Sequence, residues 1–320
     1  MIEKYLITGF SGFVSKHFCD YLERKQVDAF VKGIDVQDHH FNFNDYKYVS
    51  FDFEKVDLLS VKEIERVLYD FKPKFILHLA SYSSVALSWK IPIASFNNNT
   101  NIFLNILEAI RKLNLDTRIL SVGSSEEYGN IDGTYLPLRE DTPLNPTSPY
   151  AVARVSQELL SKVYVKGYGL DIVLTRSFNH IGPMQKDIFV VSSFAKQLIY
   201  IKKSNNQQGT LIAGDTSIIR DFCDVRDVVR AYHLLLHNGI RGEVYNVCSG
   251  VGTSLRDIIA HMADIISVKV HVKVDESLRR PDENMIIIGC NEKISRAVDW
   301  TPQYTLMQSL HEVLDYWDKI

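Results

Sequence analysis

Short apolar runs alternate with longer amphipathic stretches through the first two thirds of the chain, a rhythm that few folds accommodate. The runs Tyr5–Thr8, Ala29–Ile34, Tyr48–Phe51, Phe75–Leu79, Arg118–Val122 and Ile172–Thr175 read as strands. The stretches Ser15–Arg24, Ser60–Phe71, Ser95–Leu113 and Tyr150–Tyr168 read as helices. Strand and helix in alternation predict an α/β fold, a parallel sheet with helices on both faces. After about residue 180 the pattern loosens, with helices expected at Phe189–Lys203, Val225–His237, Ser254–Ile266 and Thr305–Trp317. We expect residues 1–180 to form the first domain and to carry the chemistry. Residues 181–320 should form mainly a smaller mixed α/β lobe, with some segments returning to the first domain.

Directly after the first strand comes Gly9-Phe-Ser-Gly12-Phe-Val-Ser15, a glycine-rich loop that runs into a helix. Such a loop lets a pyrophosphate approach the backbone and the free N–H groups of the helix start. Asp35 closes the second strand about 20 residues further on, where a carboxylate accepts hydrogen bonds from an adenosine ribose. Strand, loop, helix and acid together predict a Rossmann-type doubly wound sheet that binds a dinucleotide. Asp35 repels a 2′-phosphate, so NAD(H) is expected over NADP(H). Ser15 stands where a third glycine is usual and should loosen helix–strand packing slightly.

Charge narrows the choice of partners. With 36 basic and 39 acidic residues the net charge is −3, so nothing attracts the whole molecule to nucleic acid or to an anionic membrane. No apolar run is long enough to span a bilayer. The first residues, MIEKYLITGFSGF, read as structure and not as a secretory leader. Cys19, Cys223, Cys248 and Cys290 are scattered without CxxC pairing, which suits a reducing cytoplasm. No cluster has metal-ligand spacing, so no metal is expected.

The chemistry-bearing residues fall in the middle of the chain. Tyr150 and Arg154 lie four apart at the start of a helix, hence on one face. A cation there favours the phenolate that an acid/base tyrosine passes through. Ser124-Ser-Glu126-Glu-Tyr128-Gly129 follows the fifth strand, at the end of the sheet where ligands of parallel sheets sit. Each residue also has a duller reading. Ser124 and Ser125 can cap a turn, Tyr150 can pack under a loop, and Arg220 can pair on the surface. His78 and His180 read as core histidines and Cys223 as inert packing.

These motifs, with His78-Leu-Ala80, Pro146-x-Ser148-x-Tyr150, Arg176-x-x-Asn179-His-Ile-Gly182-Pro183, Arg220-Asp-Phe-x-Asp224 and Arg280-Pro281, resemble the extended short-chain dehydrogenases/reductases of the nucleotide-sugar epimerase/dehydratase family. The likeness covers essentially the whole chain and is greatest to the reductases of GDP-linked 4-keto-6-deoxy sugars. It implies an NAD(H)-dependent oxidoreductase acting at carbon 4 of a nucleotide-linked, GDP-linked hexose in the making of surface-polysaccharide sugars. Tyr150 is then the acid/base, with Ser124 polarising the same oxygen and Glu126 at the position of the dehydratases' base for carbon 5. The cofactor is lined by Gly9, Gly12, Phe13, Asp35, Leu79, Ala80, Tyr150 and Arg154, with Asp52 near the adenine ring. Ser125, Asn179, Arg220 and Arg280 contact the substrate.

One departure stands out. The family has a lysine where this chain has Arg154, and arginine keeps the charge without the compact ammonium. Two rival readings stand beside the reductase. The Ser124-Ser125-Glu126 triplet resembles that of 4,6-dehydratases, and tight NAD binding also suits an epimerase. A cofactor- and nucleotide-binding protein that has lost turnover is the third possibility, motivated by Arg154. A homodimer is expected through a four-helix seam of Ser95–Leu113 and Tyr150–Tyr168, with Ile102, Phe103, Ile106, Leu107 and Ile110 supplying the extra apolar surface.

Overall fold

The apolar runs form one parallel sheet in the computed structural model, which describes residues 2–204, 207–279 and 282–320. Its strands are β1 (Glu3–Thr8), β2 (Ala29–Asp35), β3 (Val49–Lys55), β4 (Phe75–His78), β5 (Arg118–Ser124) and β6 (Asp171–Ser177). A seventh, Val244–Val247, comes from the last third of the chain and pairs in parallel with β6. The spatial order is Val244–Val247, β6, β5, β4, β1, β2, β3. It reverses direction between β1 and β4, so a crevice opens there at the carboxyl ends of the strands. This is a Rossmann-type α/β fold.

Helices α1 (Phe13–Arg24), α2 (Val61–Phe71), α3 (Val85–Lys90), α4 (Pro92–Phe96), α5 (Ile102–Leu113), α6 (Pro149–Tyr168), α7 (Val190–Lys202) and α8 (Val225–Asn238) follow in chain order. Alternate residues of β1 serve opposite faces of the sheet. Tyr5 and Ile7 join Phe18 and Leu22 of α1 and Val228 and Leu235 of α8 in one core. Leu6 joins Ile64 and Val67 of α2 and Ile106 of α5 in the other.

Two expectations about local structure change. The stretch Ser95–Leu113 is helical throughout as expected, but a π-helical turn at Asn97–Asn101 interrupts the α pattern between α4 and α5. Two of the asparagines there turn their side chains onto backbone: Asn98 Nδ2 donates to Ala94 O at 2.9 Å and Asn99 Nδ2 to Ser95 O at 2.7 Å. Such side-chain bonds compete with regular helix. Strand β3 runs past Phe51 to Lys55, since Lys32 on β2 pairs with Asp52 and Glu54 and so accommodates acids in a strand.

The proposed seam residues are also corrected. Ile102, Phe103, Ile106, Leu107 and Ile110 are all buried within the subunit, against the sheet. The apolar side chains left exposed nearby lie on α4 (Ile93, Phe96) and on one stripe of α6 (Val152, Leu159, Val163).

In the last third, the strand Ile219–Asp224 pairs with Asn179–Ile181, Gly252–Ser254 and Ile286–Ile287. A two-stranded parallel sheet, Gln208–Ala213 with Lys269–Val274, lies beside α7. Helices Leu255–Ile265 and Leu306–Lys319 share a core with α7. Among the described residues no helix is long and apolar enough to cross a membrane.

Candidate active site

Gly9 leaves β1 with φ +70°, and a Cβ on it would stand 2.7 Å from the Ala80 nitrogen. Only glycine permits both the turn and that approach. Leu79 and Ala80 are tied to β1 in turn, Leu79 N donating to Thr8 O (3.2 Å) and Ala80 N to Thr8 Oγ1 (3.1 Å). Gly12 caps α1 with no side chain on the first-turn amides. Ser15 does not loosen the packing. It is fully buried, and its hydroxyl donates to Gly12 O at 2.8 Å and lies against Phe10 O.

The Asp35 carboxylate accepts from Ser11 N (3.0 Å), Ser11 Oγ (2.6 Å) and Gln37 N (3.0 Å). It therefore clamps the glycine loop from the carboxyl end of β2. Phe13 stacks on His180, ring centres 5.7 Å apart, and His17 Nε2 bonds Pro183 O at 3.1 Å. These contacts draw the segment that carries Asn179 against the start of α1.

Asp52 does not join this group. It lies in mid β3 with its carboxylate 2.6 Å from Lys32 Nζ, three residues short of the strand end. A carboxylate there is engaged along the sheet, away from the crevice. The acid beyond the end of β3 is Asp57, exposed and followed by buried Leu58.

At the other end of the crevice, Ser124 ends β5 and a tight 3₁₀ turn, Ser125–Tyr128, follows. Ser124 Oγ accepts from Glu126 N at 3.2 Å, and Ser125 is buried. Glu126, Ser148 and Arg220 line one cleft with Trp89 of α3 and Asn284. The fold thus brings Glu126 and Arg220 together from segments far apart in the sequence. Asn179 is partly exposed at the start of its short strand. Arg280 lies outside the described residues.

Helix α6 packs against the Ser125–Tyr128 turn. Its start follows from sequence: Ser148 Oγ accepts from Ala151 N at 3.1 Å and Pro149 occupies the first turn. Tyr150 and Arg154 are both buried, the guanidinium carbon 5.2 Å from the phenol ring centre. Arg154 Nη1 donates to Gln157 Oε1 (2.6 Å) and Val122 O (3.1 Å). Gln157 Nε2 donates in turn to Ser121 Oγ at 2.9 Å. Arg154 Nε is buried without an acceptor among the described residues. His78, beneath this group, is held neutral, pushed down to about 3 by burial and by the Arg154 charge.

Glu127 and Gln157 are the residues that sequence reasoning passed over. Glu127 Oε1 accepts from Ser124 N at 2.7 Å, completing a reciprocal cap. The Ser-x-x-Glu spacing of Ser124 and Glu127 is the pattern of such a cap.

The crevice fits a nicotinamide dinucleotide on its own geometry. The loop lies against the Leu79–Ala80 backbone only because Gly9 has no Cβ, the first amides of α1 carry no side-chain cap, and a buried guanidinium nitrogen has no acceptor among the described residues.

A family model described as GDP-mannose 4,6 dehydratase matches residues 6–313. The GDP-6-deoxy-D-mannose reductase of Pseudomonas aeruginosa is 31% identical over 318 residues, covering 99% of this chain and 98% of that one. The structure of RMD from Pseudomonas aeruginosa complexed with NADPH superposes with a TM-score of 0.84 at 31% identity, over 99% of each chain. The Thermus thermophilus UDP-glucose 4-epimerase in complex with NAD gives a TM-score of 0.85 at 27% identity, over 98% of each chain.

Proposed function

Because the chain belongs to the GDP-mannose 4,6 dehydratase family, we propose that it is a nicotinamide-dependent oxidoreductase of nucleotide-linked sugars. Its specific reaction is reduction of a GDP-linked 4-keto-6-deoxyhexose at carbon 4, or the reverse oxidation. What supports this reading is that the glycine loop and Ser124 both follow the carboxyl ends of strands in one sheet, while Tyr150 lies beside Arg154 at the start of α6, which packs against the turn after Ser124. The GDP link is supported by likeness to the Pseudomonas aeruginosa reductase.

When bound, the dinucleotide supplies or accepts hydride. Gly9, Gly12 and Asp35 hold its pyrophosphate and adenosine end, while Phe13, Leu79, Ala80 and Arg154 line the rest. Tyr150 gives a proton to the carbonyl oxygen and Ser124 donates a hydrogen bond to the same oxygen. Arg220 and Asn179 bind the nucleotide diphosphate, joined by Arg280. NADH is preferred over NADPH, since the Asp35 carboxylate faces a 2′-phosphate with like charge. The subunits pair through α4 and the Val152, Leu159, Val163 stripe of α6. Residues 1–180 carry cofactor and chemistry, and most of 181–320 holds the nucleotide sugar. The four cysteines are buried and unpaired, which suits the cytoplasm.

Dehydration is the second reading, favoured by one observation: Glu126 lies in the same cleft as Arg220. The deciding experiment supplies the purified protein with GDP-4-keto-6-deoxymannose and reduced cofactor, and separately with GDP-mannose and NAD. Consumption of reduced cofactor with the ketosugar supports the reductase. A 4-keto product from GDP-mannose with no net cofactor change means a dehydratase. No sugar-dependent change with either overturns both.

A further inference from the structure

Beneath the turn that presents Ser124 and Glu126 lies an ionic group sealed from the cleft. Glu127 is 0% exposed, and its Oε1 is spent on the Ser124 amide. Gly123 makes room for it, because a Cβ at that position would collide with Glu127 Oε1. The other carboxyl oxygen, Oε2, is buried with no hydrogen-bond partner among the described residues. The Arg176 Nε lies 3.9 Å from it, too far for a hydrogen bond. Arg176 instead spends its fork on Glu158, with two bonds of 2.9 Å, and on Glu140 O at 3.1 Å.

Arg176 brings the two carboxyls to one place, its Nε 3.9 Å from Glu127 Oε2 and its Nη2 2.9 Å from Glu158 Oε1, so one guanidinium faces two buried acids. Two ionised carboxylates so placed repel one another, and a buried unpartnered oxygen is costly in itself. One proton between them relieves both. We propose that Glu127 is a positioning residue for the site: sharing a proton with Glu158, it holds the Ser124–Tyr128 turn so that Ser124 and Glu126 meet the cleft.

The groups that face Glu127 are consistent with this. Arg176 comes from β6 and Glu158, with Lys162 behind it, from α6, while Tyr128 and Glu140 O lie against the Arg176 guanidinium. Burial first, then the Glu158 charge, pushes the Glu127 carboxyl up to about 8. Arg176 and Lys162 hold Glu158 below its ordinary range despite its burial. The proton therefore resides on Glu127 at neutral pH and is lost in mild alkali, when repulsion from Glu158 should loosen the turn.

This inference rests on Ser124 as a catalytic residue, and its test has an arm that does not. Infrared difference spectra of the cofactor-free protein should show a protonated-carboxyl band at neutral pH, lost near pH 8 and absent from Glu127→Gln. In turnover assays, Glu127→Gln, whose amide oxygen can still accept from Ser124 N, should stay within a few-fold of the unaltered enzyme. It should also lack the fall in kcat near pH 8. Glu127→Leu should lose on the order of 10²-fold in kcat, as a displaced catalytic group does, with little change in KM. Absence of the band at neutral pH, or equal kcat for the two variants, overturns the proposal. If the unaltered protein turns over no sugar, the functional reading falls while the infrared band still decides the shared proton.

Discussion

The Arg154 guanidinium lies over the Tyr150 ring, 5.2 Å from its centre, and makes its hydrogen bonds to neutral acceptors, Val122 O and Gln157 Oε1. Its charge is thus not cancelled by those partners, although it is anchored to β5 in a way a lysine would not be. Arg154→Met should cut turnover by about 10²-fold, within the range of general acid–base effects, and Arg154→Lys should preserve or raise it. Tyr150→Phe should abolish chemistry while leaving nucleotide binding nearly intact. Steady-state rates and equilibrium titrations of the three variants check this. If Tyr150→Phe and Arg154→Met both match the unaltered enzyme, the acid/base assignment is wrong.

Asp35 holds Ser11 in the glycine loop, and in the function proposed above it also binds the adenosine ribose. Asp35→Ser should weaken NADH binding by a few kcal/mol and NADPH binding by less, since loss of the like charge offsets part of the damage. Fluorescence titration with each cofactor reads the two affinities. Equal affinities in the unaltered protein would sink the preference.

Glu127 also makes a stability prediction. Its carboxyl stands at about 8 in the fold, raised from 4.5 chiefly by burial. Between those values the folded protein holds a proton that the unfolded chain has released, so this group's contribution is full below about pH 4.5 and is lost as pH rises toward 8. Glu127→Gln removes the linkage. The variant should gain relative to the unaltered protein by on the order of a few kcal/mol across that window. Urea unfolding near pH 5 and near pH 8 measures it, and a pH-independent difference would count against the raised carboxyl.

On α6, Leu159 and Val163 are 54% and 57% exposed, on one stripe with Val152. Charges placed there should prevent pairing, so Leu159→Glu with Val163→Glu should give a monomer. The unaltered protein should give a dimer mass by light scattering at micromolar concentration. A monomer mass for the unaltered protein refutes the seam.

What the sequence by itself determined is local and periodic. Tyr5, Leu6 and Ile7 alternate between two cores because strand side chains alternate. Gly9 is legible because only glycine admits its turn, and Ser148-Pro149 marks the start of α6 because cap chemistry lies within one turn. Ser124, Tyr150 and Asp35 followed from those landmarks.

Tertiary structure decided what depends on register and on distant partners. Asp52 is withdrawn from the crevice by Lys32 on the neighbouring strand, and no local pattern states where along β3 the crevice begins. Ile102, Phe103 and Ile106 looked like surplus apolar surface, yet α5 lies flat enough on the sheet and α2 to bury them all. The strand Val244–Val247 joins β6, and Ile219–Asp224 gathers three short segments, through pairings that only chain reversal brings close. Glu127 reads as a second acid in a turn until Glu158 and Arg176 close over it. Its protonation is a property of that burial, because a carboxyl's charge depends on the solvent and partners the fold leaves it.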